Sequence, residues 1–172
     1  MKKTAVSKIF ITGIMAVCLS GSLHAEAAVT KRNNAIDTTV VSEPERIAAK
    51  YFECLFVTRD FVTMKKIMAT DAVYNQAEGL PYGGTYIGFD ELAKMFQKAG
   101  GYFDLQIEKG PVYYTNPGTN GVFIYFWIHC KAKKSGKEIS MPISEYYEVK
   151  DGLITHIRPY YFDTKAFAAF LE

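Results

Sequence analysis

The chain is poor in cysteine, has one tryptophan, and carries no excess of either charge. Each shortage excludes something. The three cysteines are Cys18, Cys54 and Cys130. None of them combines with the histidines at metal-ligand spacing, so no metal site is expected. Lysine and arginine number 20 against 18 aspartates and glutamates. Three of the lysines, Lys2, Lys3 and Lys8, crowd the N-terminus. Without them 17 basic residues face 18 acidic ones, so nothing favours nucleic acid as a partner. No phosphate-binding loop is present either. The glycine-rich GLPYGGTYIG, 79–88, lacks the Lys-Ser/Thr that such a loop requires. The apolar run IFITGIMAVCL, Ile9 to Leu19, falls well short of the roughly 20 residues of a membrane span.

That run does have a use. A basic start, a short apolar stretch and the small residues of SGSLHAEAA form the pattern of a secretory signal peptide, 1–25, with cleavage after Ala25 or Ala27. Val17 precedes Cys18 where a lipoprotein signal needs a small residue, so a soluble periplasmic or secreted protein is expected. Residues 26–41 show no periodicity and read as a flexible leader. An oxidising compartment permits a Cys54–Cys130 disulfide; their placement in a helical and a strand pattern favours two buried thiols.

Residues 42–172 suffice for one domain with a real core. Ser42, Pro44 and Glu45 form a helix start with a capping-box spacing. Ile47, Ala48, Tyr51, Phe52, Cys54 and Leu55 give that helix an apolar face. Asp60 caps a second helix whose face holds Phe61, Met64, Ile67 and Met68. A short strand spans 71–77, and GLPYGGTYIG reads as a loop. A third helix runs from Phe89 to the Gly100-Gly101 stop. The remainder is β. Strands are expected at 102–115, 122–131, 139–150 and 153–162, the last two joined by Asp151-Gly152. VFIYFWIHCK is apolar on both faces, as a strand covered on both sides would be. Asp163 caps a final helix carrying Phe167, Phe170 and Leu171. This order predicts an α+β domain, a cone-shaped roll of curved antiparallel sheet wrapped over N-terminal helices.

Several phrases carry a resemblance: RDF after the first helix, then ATDAVYNQ, GGTYIGFDEL, EYYEVKDGLI and IRPYYFD. In order and spacing they resemble the SnoaL-like branch of the nuclear-transport-factor-2-like superfamily, which includes ketosteroid isomerases and polyketide cyclases. The resemblance covers about 43–172. It implies a conical pocket between sheet and helices. It also implies a small hydrophobic molecule as partner, a homodimer, and no metal, nucleotide or flavin. Against the isomerase pattern, Phe52 stands at the helix tyrosine, Gln76 at the general base, and Glu145 or Ser144 at the late-strand acid, with alternation favouring Glu145. Against limonene-epoxide hydrolases, Tyr74 and Gln76 resemble the Tyr-x-Asn pair and Glu145 the paired acid. Ile143 and Tyr160 replace the remaining groups.

The stretch ITHIRPYYFD then raises the question of a site. Alternation places Ile154, His156, Arg158, Tyr160 and Phe162 on one face, expected to meet the pocket. Arg158 would pair with Glu145 on the neighbouring strand, because a buried guanidinium needs an acid. Two functions follow. An enzyme would use Glu145 and His156 for proton transfer on a small apolar or carbonyl-bearing molecule. A non-catalytic module would hold a hydrophobic ligand with Tyr51, Tyr74, Gln76, Tyr147, Arg158 and Tyr160. A third reading gives the apolar stretch 122–128 to a subunit interface.

Overall fold

Ser42 starts the first helix as its sequence predicts: its side-chain oxygen accepts the Glu45 N–H at 3.3 Å. The computed structural model describes residues 41–116 and 118–172. The expected signal segment, and the leader up to residue 40, lie outside the described residues. Helix α1 spans Glu43–Phe52 and runs on as a π-helical turn, Glu53–Thr58. Asp60 then caps α2, Phe61–Lys66, by accepting the Thr63 N–H at 2.9 Å. Strand β1 is Met68–Gln76 and β2 is Gly84–Ile87. Helix α3 is Gly88–Gly100, followed by β3 Phe103–Thr115, β4 Gly121–Ala132, β5 Glu138–Lys150 and β6 Leu153–Tyr161. Asp163 caps α4, Thr164–Phe170.

The six strands form one curved sheet in the order β2-β1-β6-β5-β4-β3. The expected antiparallel sheet needs one correction, because β1 and β6 pair in parallel. The two strands are separated in sequence by β2, α3, β3, β4 and β5, so no hairpin joins them and a parallel pairing is open to them. The β5–β6 turn is as expected. Asp151 and Gly152 have φ values of 53° and 76°, the left-handed pair of a two-residue hairpin.

The core lies between the concave face and the helices. Ile47, Ala48, Tyr51 and Phe52 of α1 and Leu92 and Met95 of α3 are buried there. Facing them are Val122, Ile124, Phe126 and Ile128 of β4 and Met141, Ile143, Tyr147 and Val149 of β5. Cys54 and Cys130 are buried and unbonded to each other. Burial pushes the Cys130 thiol up to about 12, which keeps it in the protonated, unreactive form at neutral pH.

Three sequence expectations shift. Met68 begins β1 rather than finishing α2, because its backbone pairs beside Ile154. The loop 79–88 contains β2, whose Thr85, Tyr86 and Ile87 pair with Asn75, Tyr74 and Val73. Strand β4 is covered on one side only: Phe123 is exposed, and Tyr125 and Trp127 are half-buried. Among the described residues no helix is long and apolar enough to cross a membrane, and no group of three potential metal ligands occurs.

Candidate functional site

Strict alternation along β5 sends Met141, Ile143, Glu145, Tyr147 and Val149 to the concave face. One of those five is a carboxylic acid. Glu145 is 5% exposed. Among the described residues its side chain has one hydrogen-bond partner, the Tyr147 hydroxyl two residues on, which donates to its Oε2. Burial pushes the Glu145 carboxyl up from its ordinary 4.5 to about 7; the Tyr147 hydrogen bond pulls weakly the other way. Arginine does not enter this balance. At neutral pH the group therefore exists in both forms.

Tyrosines surround it. The Tyr51 ring meets that of Tyr147 edge-on, with centroids 5.4 Å apart. Its hydroxyl is buried and has no hydrogen-bond partner among the described residues. Burial first, and the nearby Glu145 charge second, push the hydroxyls of Tyr51, Tyr74 and Tyr147 well above their ordinary range. They are therefore hydrogen-bond donors, not bases. A buried hydroxyl without a partner is costly.

Glu145 lines a cavity of about 660 Å³. The walls are aromatic: Phe56, Phe89, Phe96, Phe103, Phe126 and Phe167 all contribute. A short polar chain crosses it. Gln76 Nε2 donates to the Tyr161 hydroxyl at 3.3 Å, and the Tyr161 and Tyr82 hydroxyls are 3.5 Å apart. Gln76 Oε1 accepts the Ala77 N–H at 2.9 Å, so its amide orientation is set by the backbone. Arg59, Phe61, Asp104 and Lys133 are exposed members of the lining and stand where the cavity meets solvent. The volume suits a small polycyclic or similar apolar molecule.

Of the expected site residues, Tyr74, Gln76 and Glu145 line this cavity. Tyr51 and Tyr147 are buried behind it in the group around Glu145. His156, Arg158 and Tyr160 are not there. Their expected inward orientation is corrected by a bulge: β5 residue Glu148 pairs with His156 and the next residue, Val149, with Ile154. Thr155 is thus an extra residue in β6. An extra residue reverses which face every later side chain takes. Ile154 faces inward, and so do Ile157, Pro159 and Tyr161. His156, Arg158 and Tyr160 face outward.

On that outer face His156 Nε2 donates to Asn75 Oδ1 at 2.7 Å, and Arg158 donates to the same oxygen at 3.1 Å. Together with Phe123, Tyr146, Glu148 and Tyr160 they line a shallow concavity of about 350 Å³. The expected Arg158–Glu145 pair does not form. Glu145 stands opposite Pro159, and Arg158 opposite Tyr146. Sequence reasoning also missed Tyr161, whose inward position depends on the bulge, and Tyr82, hidden in the glycine-rich loop. The isomerase comparison set Phe52 in the tyrosine's place; the structure puts the hydroxyl of its neighbour Tyr51 beside Tyr147 and Glu145.

The sequence model of the SnoaL-like domain matches residues 48–157. No curated protein matches the chain in sequence. Solved structures agree in fold. An NTF2-like protein from Burkholderia xenovorans LB400 superposes with a TM-score of 0.68 at 21% identity, over 76% of this chain and 96% of that one. A candidate polyketide cyclase from Xanthomonas campestris pv. campestris gives 0.63 at 20% identity, over 76% and 97%. TerC, co-crystallised with polyporic acid, gives 0.65 at 16% identity, over 76% and 98%.

Proposed function

The chain belongs to the SnoaL-like domain family, and from that premise we propose that it binds a small hydrophobic molecule in the aromatic cavity and exchanges a proton with it through Glu145. The observation that carries this is a buried carboxyl at the wall of a largely apolar chamber, where burial pushes it up to about 7. An acid tuned to the ambient pH both gives and accepts a proton readily. The buried Tyr74, whose hydroxyl burial keeps protonated in the cavity wall, would stabilise an oxygen that gains negative charge as the proton leaves carbon. A carbonyl-bearing apolar substrate fits that set. His156 lies on the other side of the sheet and is not available for the step. TerC's co-crystallisation with polyporic acid is consistent with a pocket of this kind in the fold.

The test uses an enolisable bicyclic ketone, 2-tetralone, in heavy water. The wild-type domain is expected to speed deuterium incorporation next to the carbonyl, read by mass spectrometry. Glu145→Gln should lower that rate by about 100-fold or more while retaining ketone binding. Exchange no faster than in buffer, with binding intact, would exclude proton transfer and leave a plain binding module. One observation favours that second reading: among the described residues Glu145 is the one acid in the cavity's buried part, with no second acid or base lining it there.

Two further parts belong to the proposal. The N-terminal pattern supports export to the periplasm or beyond. The exposed aromatics of the outer sheet face, Phe123 at 44% and Tyr160 at 46%, support a homodimer that covers them. Sedimentation of the mature protein should give a dimer, and Phe123→Lys should give monomers. A monomeric wild type would remove the dimer from the proposal.

A further inference from the structure

Arg59 occupies an unusual backbone position. It follows the π-helical turn with φ 56° and ψ 31°, the left-handed region where glycine is at ease and a longer side chain is strained. Its guanidinium donates from Nη1 to the Leu55 carbonyl at 2.6 Å. A guanidinium has five N–H donors, and among the described residues Arg59 makes no ion pair and no other side-chain hydrogen bond. It nevertheless lines the cavity, as do Phe56 and Phe61.

The charges of the cavity decide what this means. Among the described residues four charged ones line it: Arg59, Asp104, Lys133 and Glu145. Lys133 and Asp104 form an ion pair at 3.2 Å and offset each other. Glu145 is held largely neutral below about pH 7 by burial. Among the described residues this leaves one cation, Arg59, without an acidic partner at the rim of an apolar chamber. We infer that Arg59 is the binding group for an anionic substituent of the ligand, so that the ligand class is an apolar ring system bearing a carboxylate. The anion would sit at the rim on the guanidinium, in the paired geometry arginine favours. The apolar body would lie against the phenylalanines, and the far end would approach Glu145. The reverse orientation would press two acids together. This inference rests on the cavity being the ligand site, as proposed above, and adds the charge of the ligand.

The Leu55 contact also serves to cap the helix end, so the test must separate capping from binding. Fluorescence titration would compare anthracene-9-carboxylate with its methyl ester, the same ring system without the charge. The wild-type domain is expected to bind the acid more tightly by about fivefold, with the preference shrinking in high salt. Arg59→Gly suits the left-handed backbone and keeps the fold. It should bring the acid to the ester's affinity while changing the ester by less than about twofold. Arg59→Gln should do the same, and Lys133→Gln should leave the preference in place. If the ester binds but the preference is absent, persists in Arg59→Gly, or vanishes in Lys133→Gln, the assignment to Arg59 is wrong and the cavity reading stands. If neither probe binds the folded wild type, both are overturned.

Discussion

Between pH 4.5 and about 7 the domain loses stability as pH rises, by on the order of 3 kcal/mol, and Glu145→Gln abolishes that loss. Below the lower limit Glu145 is protonated in both folded and unfolded chains, and the difference is nil. Above it the unfolded chain releases the proton while the folded one retains it. The unfolded state then binds fewer protons, so stability falls. Above about pH 7 the folded carboxyl also ionises and the loss levels off. The sign is opposite to that of an ion-paired acid. Asp60 and Asp90, whose carboxyls are held low by hydrogen bonds from Thr63 and Lys65, exert their effect below 3.8 and outside this window. Gln keeps an oxygen for the Tyr147 hydroxyl, so the variant should match the wild type near pH 5 and exceed it near pH 8. Urea denaturation at both values measures this. A wild-type profile that is flat or rising across the window means the acid ionises in the fold without penalty. The proton-transfer proposal would then lose its basis.

Replacing Phe167 with alanine should destabilise the domain by about 3–5 kcal/mol. The residue is fully buried on a helix of only seven residues. Such a helix has little stability of its own and is held by what it packs against. Phe167 stacks on Tyr161 at 4.8 Å and meets Phe103 and Phe170 at 5.5 Å each. Removing it takes away most of the docking of α4 and opens the cavity wall at the same point. Phe162→Ala, at a residue 80% exposed and five positions earlier, is the control, with an expected change within about 0.5 kcal/mol. Equal midpoints in urea for the two variants would show that α4 is not anchored through Phe167. Because Phe167 also lines the cavity, the variant should bind flat ring systems differently even where it still folds.

Both predictions concern residues that could be named before any coordinates, and the reasons differ. Phe167 follows from a helix cap and apolar spacing, which are local. Glu145 follows from parity along β5, which holds because that strand alternates without interruption over its full length. The same argument failed on β6 because one extra residue, Thr155, reverses the faces. Nothing in the composition of ITHIRPYYFD marks the bulge; it is a feature of the register between β6 and β5. Its effect on the site is large. It takes His156 and Arg158 away from Glu145 and brings in Tyr161. The missing arginine is also why burial, rather than a counter-ion, sets the state of Glu145.

Local chemistry alone determined the capped helices, the Asp151-Gly152 hairpin, the order of elements and the family to which the domain belongs. These depend on neighbours within a few residues, or on patterns repeated along one strand. Only the tertiary structure decided the parallel β1–β6 pair, the bulge, the burial of the Tyr51 hydroxyl and the convergence of Arg59 and Glu145 on one chamber. Each of these depends on which segments, far apart in the chain, are brought into register, and a residue's own neighbours carry no record of that.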